Sequence, residues 1–199
     1  MEHGFETHPS GAIIALTEGE RALLMSLGRQ EISLLSERAG PTAADPLASL
    51  VGISDRSDVP SDPVLARLLP SAYESEDDAS EFRRYTEDEL LKSKIQAAQA
   101  VIEDLEASHQ FVVVDVARQH TWLTFLNDLR LALGTRIGVR EDAMEELSRV
   151  SDDDPRLPML LVYDWLSFVQ GSLVEVLMTD VPDSGREGDD DGAPGGLRT

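Results

Sequence analysis

Few residues in this chain have the type and spacing that chemistry needs. Its four histidines, His3, His8, His109 and His120, never reach the HExxH spacing that sets two imidazoles on one helix face around zinc. There is no cysteine, which excludes thiolate nucleophiles, Cys-ligated zinc, disulfides and thiol redox switching. No phosphate-binding GxxxxGK[ST] loop, dinucleotide glycine pattern or GxSxG elbow occurs. Asp152-Asp153-Asp154 is rich in carboxylates, but it lacks the glycine and closing glutamate of a calcium loop and reads as a solvated turn. The sequence therefore predicts no catalytic residue, no metal and no cofactor.

Two groups of polar residues remain. Asn127, Arg130 and Gly134 fall about one turn apart in the otherwise apolar stretch Trp122 to Arg136, so they draw a polar stripe along one helix edge, beside Asp128. A buried charge needs a partner, and a later helix supplies Tyr163, Asp164, Trp165 and Gln170. The expected arrangement is a bridge or hydrogen-bond network from Arg130 or Arg136 to Asp164 that fixes helix packing, with a ligand or partner pocket as the other use of the same residues. The second group is Phe82-Arg83-Arg84-Tyr85, two arginines between aromatics. It could stack on RNA or contact a partner, although Glu81, Glu87 and Asp88 favour local salt bridging.

The elements that hold these residues are marked mainly by caps. Ile13 to Leu16 is a short strand-like run, and Thr17 with Glu20 has capping-box spacing ahead of a helix over about 18–38 that stops at Gly40-Pro41. Asp45-Pro46 and Asp62-Pro63 each open a short helix. Ser75 with Asp78 and Thr86 with Glu89 give two more start signals. Phe111 to Val114 is β-branched and precedes Asp115, which caps a helix up to Gly134. Matching Thr17 with Asp115 also matches Ile13 with Phe111 and Leu24 with Trp122, so strand, cap and helix occur twice, and the two strands can pair as a ribbon. An acidic helix near 141–149 and a last helix through Leu160, Trp165, Val169 and Leu173 complete the chain. The expectation is a mainly α fold of about seven helices with at most a two-stranded ribbon. Residues 1–11 read as a flexible N-terminus, 12–180 as one helical domain, and 181–199, with Asp189-Asp190-Asp191 and Gly195-Gly196, as a disordered acidic tail.

Charge limits the partners. The 199 residues carry 17 Lys plus Arg against 38 Asp plus Glu, a formal charge of −21, which repels phosphate backbones. Residues 91–140, with 6 bases and 5 acids, form the near-neutral stretch. Direct duplex binding is expected to be weak, since it would need a groove built from Arg118, Arg130, Arg136 and Arg140. No apolar run is read as a membrane span, and no basic-then-apolar leader opens the chain. A cytoplasmic location follows as the expectation.

Four blocks resemble a known family. They are Leu16 to Leu24; Asp62 to Tyr73 with Glu81-Phe82-Arg83-Arg84; Trp122-Leu123 with Asn127 to Arg136; and Tyr163-Asp164-Trp165-Leu166. They are similar to the actinobacterial proteins called domain of unknown function 2017, which include the AosR-type oxidative stress regulators. The resemblance implies a helical, homodimeric transcriptional regulator without enzymatic activity that works with a stress-response sigma factor. An alternative is an accessory of ClpS and the Clp protease, suggested by gene adjacency in that family. Acidity fits the first reading, because it complements the basic surface of a sigma factor or polymerase. The missing cysteines set this chain apart from thiol-based oxidant sensors, and its five methionines are a weak substitute.

Overall fold

The structure, a computed structural model, describes residues 3–40, 58–73, 75–139, 151 and 153–179. The expected helices at 45–52 and 141–149, the cation Arg140 and the acidic tail lie outside the described residues. Within them are five helices and three strands: β1 (Phe5–His8), β2 (Gly11–Ala15), α1 (Glu18–Ala39), α2 (Pro63–Leu68), α3 (Glu76–Ala107), β3 (Phe111–Asp115), α4 (Val116–Ile137) and α5 (Leu157–Thr179).

The strands form an antiparallel sheet in the order β1-β2-β3, with Ile13 opposite Val113 and Phe5 opposite Ile14. The sheet corrects two expectations, because it has three strands and its first lies in the segment read as a flexible terminus. β1 carries one apolar side chain facing inward, Phe5, which is buried and meets Trp122 edge-to-face at 5.6 Å between ring centroids. Its backbone is tied down at the same point, where the Phe5 N–H donates to Ser172 Oγ at 2.8 Å. The tight turn into β2 requires a glycine: Gly11 has φ +139°, and a Cβ there would lie 2.5 Å from the Val114 carbonyl oxygen.

Caps place the helices that follow. At the start of α1 the Glu20 N–H donates to Thr17 Oγ1 at 3.2 Å while the Thr17 N–H donates to the Glu20 carboxylate at 2.7 Å, a complete capping box. Asp62 accepts from the Val64 and Leu65 amides ahead of Pro63, and Asp115 accepts from the Arg118 amide. α4 ends at Gly138 in the left-handed region. The second start signal in α3 is not used. Thr86 sits inside one 32-residue helix, where its hydroxyl donates to the Phe82 carbonyl at 2.9 Å.

The main core joins the inner sheet face (Phe5, Ala12, Ile14, Val112, Val114) to Trp122, Phe125 and Leu126 of α4 and to Leu166, Val169 and Leu173 of α5. A second cluster under α2 holds Leu35, Val64, Leu65, Leu68, Leu69 and Leu91. α1 lies along α3, and α4 is packed between α2, α3 and α5. α5 has 23 residues and is apolar enough, by length and composition alone, to cross a membrane, while Asp164 and Glu175 keep each uncharged run within it well short of a span. Its inner face is core: Leu160, Trp165, Leu166, Val169, Leu173 and Val176 are buried against the rest of the fold.

Candidate functional site

α3 carries charge on the face where a helix ordinarily carries its apolar stripe. Ala79, Arg83, Glu87, Leu91, Lys94, Ala98, Val101 and Leu105 follow one another at helical spacing, and all but the half-buried Lys94 are buried. Two ionic clusters result, with Leu91 between them. In the first, Glu87 lies between two guanidiniums: Arg38 Nε from α1 at 2.7 Å and Arg83 Nε at 3.2 Å. Arg83 also donates to Ser71 Oγ at 2.8 Å, and Arg38 reaches the Asp58 carboxylate at 3.2 Å. Burial lowers the Arg38 pKa, but its hydrogen bonds to Glu87 and Asp58 outweigh that and raise it overall. Arg38 in turn holds the Asp58 carboxyl below its ordinary range.

In the second cluster Lys94 Nζ lies 2.7 and 2.8 Å from the two carboxylate oxygens of Asp128. Glu31 of α1 is 5% exposed beside them, and its Oε2 is buried without a hydrogen-bond partner among the described residues. Burial pushes the Glu31 carboxyl from 4.5 up to about 8, the charge of Asp128 adds to the rise, and Lys94 opposes it. The Asp128 carboxyl is itself raised, since burial outweighs the attraction of Lys94. Next to Glu31 is a cavity of about 30 Å³ bordered by Leu27, Leu129, Leu133 and the exposed Arg136.

The polar stripe expected on one helix edge is divided between two sides of α4. Asp128 and Arg130 are two residues apart, so they point about 200° away from each other around the helix. Asp128 faces Lys94, whereas Arg130 faces α5. There Arg130 Nε donates to Ser167 Oγ at 2.9 Å, its Nη1 donates to Gln170 Oε1, and its Cζ lies 5.5 Å from the centroid of the Tyr163 ring. Gly134 fits under the same ring, where a Cβ would be 3.1 Å from Tyr163 Cε2. The expected bridge to Asp164 is therefore corrected. Tyr163, Ser167 and Gln170 share one face of α5, and Asp164 is rotated about 100° from Tyr163, half-buried between the exposed Leu161 and Phe168. Asn127 is half-buried, Trp165 is buried with its indole N–H unpartnered among the described residues, and Arg84 is exposed.

Of the cations a DNA groove would need, Arg118 is bound to Asp104 at 3.0 Å, in a network that also takes the Trp122 indole N–H at 2.9 Å. Arg130 and Arg136 sit in two further surroundings, so the described residues assemble no common cationic face. The sequence reading missed Glu31, Lys94 and Arg38. A signal was there for two of them: Leu24, Gly28, Glu31 and Leu35 lie on one buried stripe of α1, and Lys94 continues the Leu91 stripe of α3.

The residues quoted for the family resemblance sit on this framework, from the α1 cap through α2 and α4 to α5. Residues 2–177 match the family described as Domain of unknown function (DUF2017). The chain belongs to the DUF2017 family. Its curated relatives include proteins of Mycobacterium tuberculosis and Mycobacterium bovis, each named "Oxidative stress regulator AosR". Each is 31% identical over 179 residues, covering 82% of this chain and 81% of the relative. No solved structure matches this DUF2017 chain.

Proposed function

We propose that this DUF2017 protein is a non-enzymatic, cytoplasmic regulator that acts on transcription through protein contacts with a stress-response sigma factor or RNA polymerase. The regulatory role is supported by the names of its mycobacterial relatives. Protein contact is supported above all by α5, the most apolar of the described helices, which buries one face in the core and leaves Met159, Leu161 and Phe168 exposed. Leu161 and Phe168 are two turns apart on one side, the spacing of a helix that meets another surface, and a homodimer could use the same face. A charge of −21 steers a basic partner toward the protein and an operator away from it. Clp association gains no support from the relatives' names.

The test is paired. Purified protein is titrated into core polymerase and into stress-type sigma factors, and separately into duplex DNA at about 150 mM salt, where the Debye length is about 8 Å. Saturable binding to a sigma factor or polymerase that weakens with salt, without a sequence-specific DNA complex, is the expected result. Tight sequence-specific binding to DNA by the protein alone would overturn it.

A further inference from the structure

A cleft of about 520 Å³ opens where the C-terminal turns of α4 meet α2 and α5. Two guanidiniums border it, Arg67 from α2 and Arg130 from α4, together with Leu131, Gly134 and the Tyr163 ring. Their electrostatic situation differs from that of the arginines already described. Arg29, Arg38, Arg83, Arg118 and Arg156 each have a carboxylate oxygen within 3.2 Å. Arg67 is exposed and makes no ion pair among the described residues, in a chain with more than twice as many acids as bases. Arg130 is held by neutral groups only: Ser167 takes Nε, Gln170 takes Nη1, and Nη2 is left without an acceptor among the described residues.

A guanidinium fixed at two nitrogens by neutral partners keeps its full charge and has already lost its side-chain freedom, so little further ordering is needed to bind an anion. Arg130 is such a group, the exposed Arg67 adds a second positive charge to the same cleft, and the two repel each other until an anion lies between them. They also come from different helices. A carboxylate offers its oxygens in one plane, whereas a tetrahedral phosphoryl group offers them in several directions and can be shared by two separate forks. We propose that this cleft binds a soluble phosphorylated small molecule, with Arg67 and Arg130 sharing its phosphoryl oxygens and Tyr163 and Leu131 lining the space for its remainder. The site lies apart from the exposed α5 residues Leu161 and Phe168, and it stands or falls independently of the sigma-factor reading.

The test uses the full chain with pyrophosphate and ADP as probes, read by calorimetry at about 150 mM salt. Saturable binding with a Kd at or below about 1 mM is expected for at least one probe. Arg67→Ala, at an exposed position without a partner among the described residues, should weaken that binding at least about tenfold, while Arg29→Ala on α1 should not change it. Arg130→Gln should weaken it as well; if that variant fails to fold, Arg67→Ala still decides. Tighter binding of ADP than of pyrophosphate assigns the apolar wall to a nucleoside, and equal binding assigns recognition to the phosphoryl groups alone. A Kd weaker than about 1 mM for both probes, or binding unchanged in Arg67→Ala, would overturn the proposal.

Discussion

Raising the pH should destabilise this protein from the inside. Glu31 is buried next to the Lys94–Asp128 pair, so with Glu31 protonated that pair is balanced, and ionising Glu31 adds an uncompensated negative charge to a dry site. Its carboxyl titrates at about 8 in the folded chain against 4.5 as the reference. The folded state therefore keeps a proton that the unfolded state releases, and the stability this provides is complete below pH 4.5 and lost as pH rises through about 8. At about 1.4 kcal/mol per pH unit, the whole span is about 5 kcal/mol, and the part lost between about pH 6 and about pH 8.5 is about 2.5 kcal/mol. That is a large share of the roughly 5 to 15 kcal/mol that holds a domain together. Urea unfolding at the two pH values measures it. The wild type should lose about 2.5 kcal/mol, and Glu31→Gln, which has no proton to release, less than about 0.5 kcal/mol, so that the variant is the more stable protein at the higher pH. A parallel decline in both proteins would refute the assignment of this titration to Glu31.

Arg130→Ala should cost about 1 to 3 kcal/mol by unpairing Ser167 and Gln170, whereas Asp164→Ala, half-buried and outside that network, should stay within about 0.5 kcal/mol; chemical denaturation of the two variants separates them. Glu87→Ala removes the carboxylate shared by Arg38 and the buried Arg83, and should lower stability by about 3 to 5 kcal/mol in the same assay. Gly11→Ala should cost at least about 1 to 3 kcal/mol from backbone strain, and amide exchange should quicken first in β1 and β2.

What could be read from the sequence was what local chemistry determines. Thr17 with Glu20, Asp62 before Pro63, and Asp115 before α4 announce helix starts because each cap is satisfied within a few residues of itself. The β2–β3 pairing was legible for a similar reason, since two β-branched runs need partners for their backbone groups. β1 was not, because Phe-Glu-Thr-His holds a single inward apolar residue and depends on Trp122 and Ser172, more than a hundred residues away. Thr86 with Glu89 looked like a cap, but the buried positions on either side keep α3 continuous, and tertiary burial overrides a local start signal. The candidate site divided along the same line. Arg130 was found from its spacing, yet its partner was mistaken because Asp164 was chosen for its charge, whereas the face of α5 that meets α4 carries Tyr163, Ser167 and Gln170. Glu31 and Lys94 were passed over because an acid in α1 and a lysine in α3 ordinarily mark solvent-facing sides.

The buried charges of α3 act on register more than on net stability. Its apolar core positions, Leu91, Ala98, Val101 and Leu105, include small residues that a slide of one turn along α1 would cost only modestly. The charged positions do not tolerate that slide. A shift of about 5.4 Å would carry Lys94 away from Asp128 and Glu87 away from Arg38, and each uncompensated charge left in the interior costs several kcal/mol. A pair of correctly matched charges contributes little beyond what apolar residues would give, because desolvation offsets most of the attraction. Its effect lies in the penalty on every alternative alignment. Arg38 and Glu31 on α1, Asp128 on α4, and Arg83, Glu87 and Lys94 on α3 thus fix how three helices of 22 residues or more lie against one another. That alignment sets the turn of α4 on which Arg130 stands, and with it the geometry of the cleft between α2, α4 and α5.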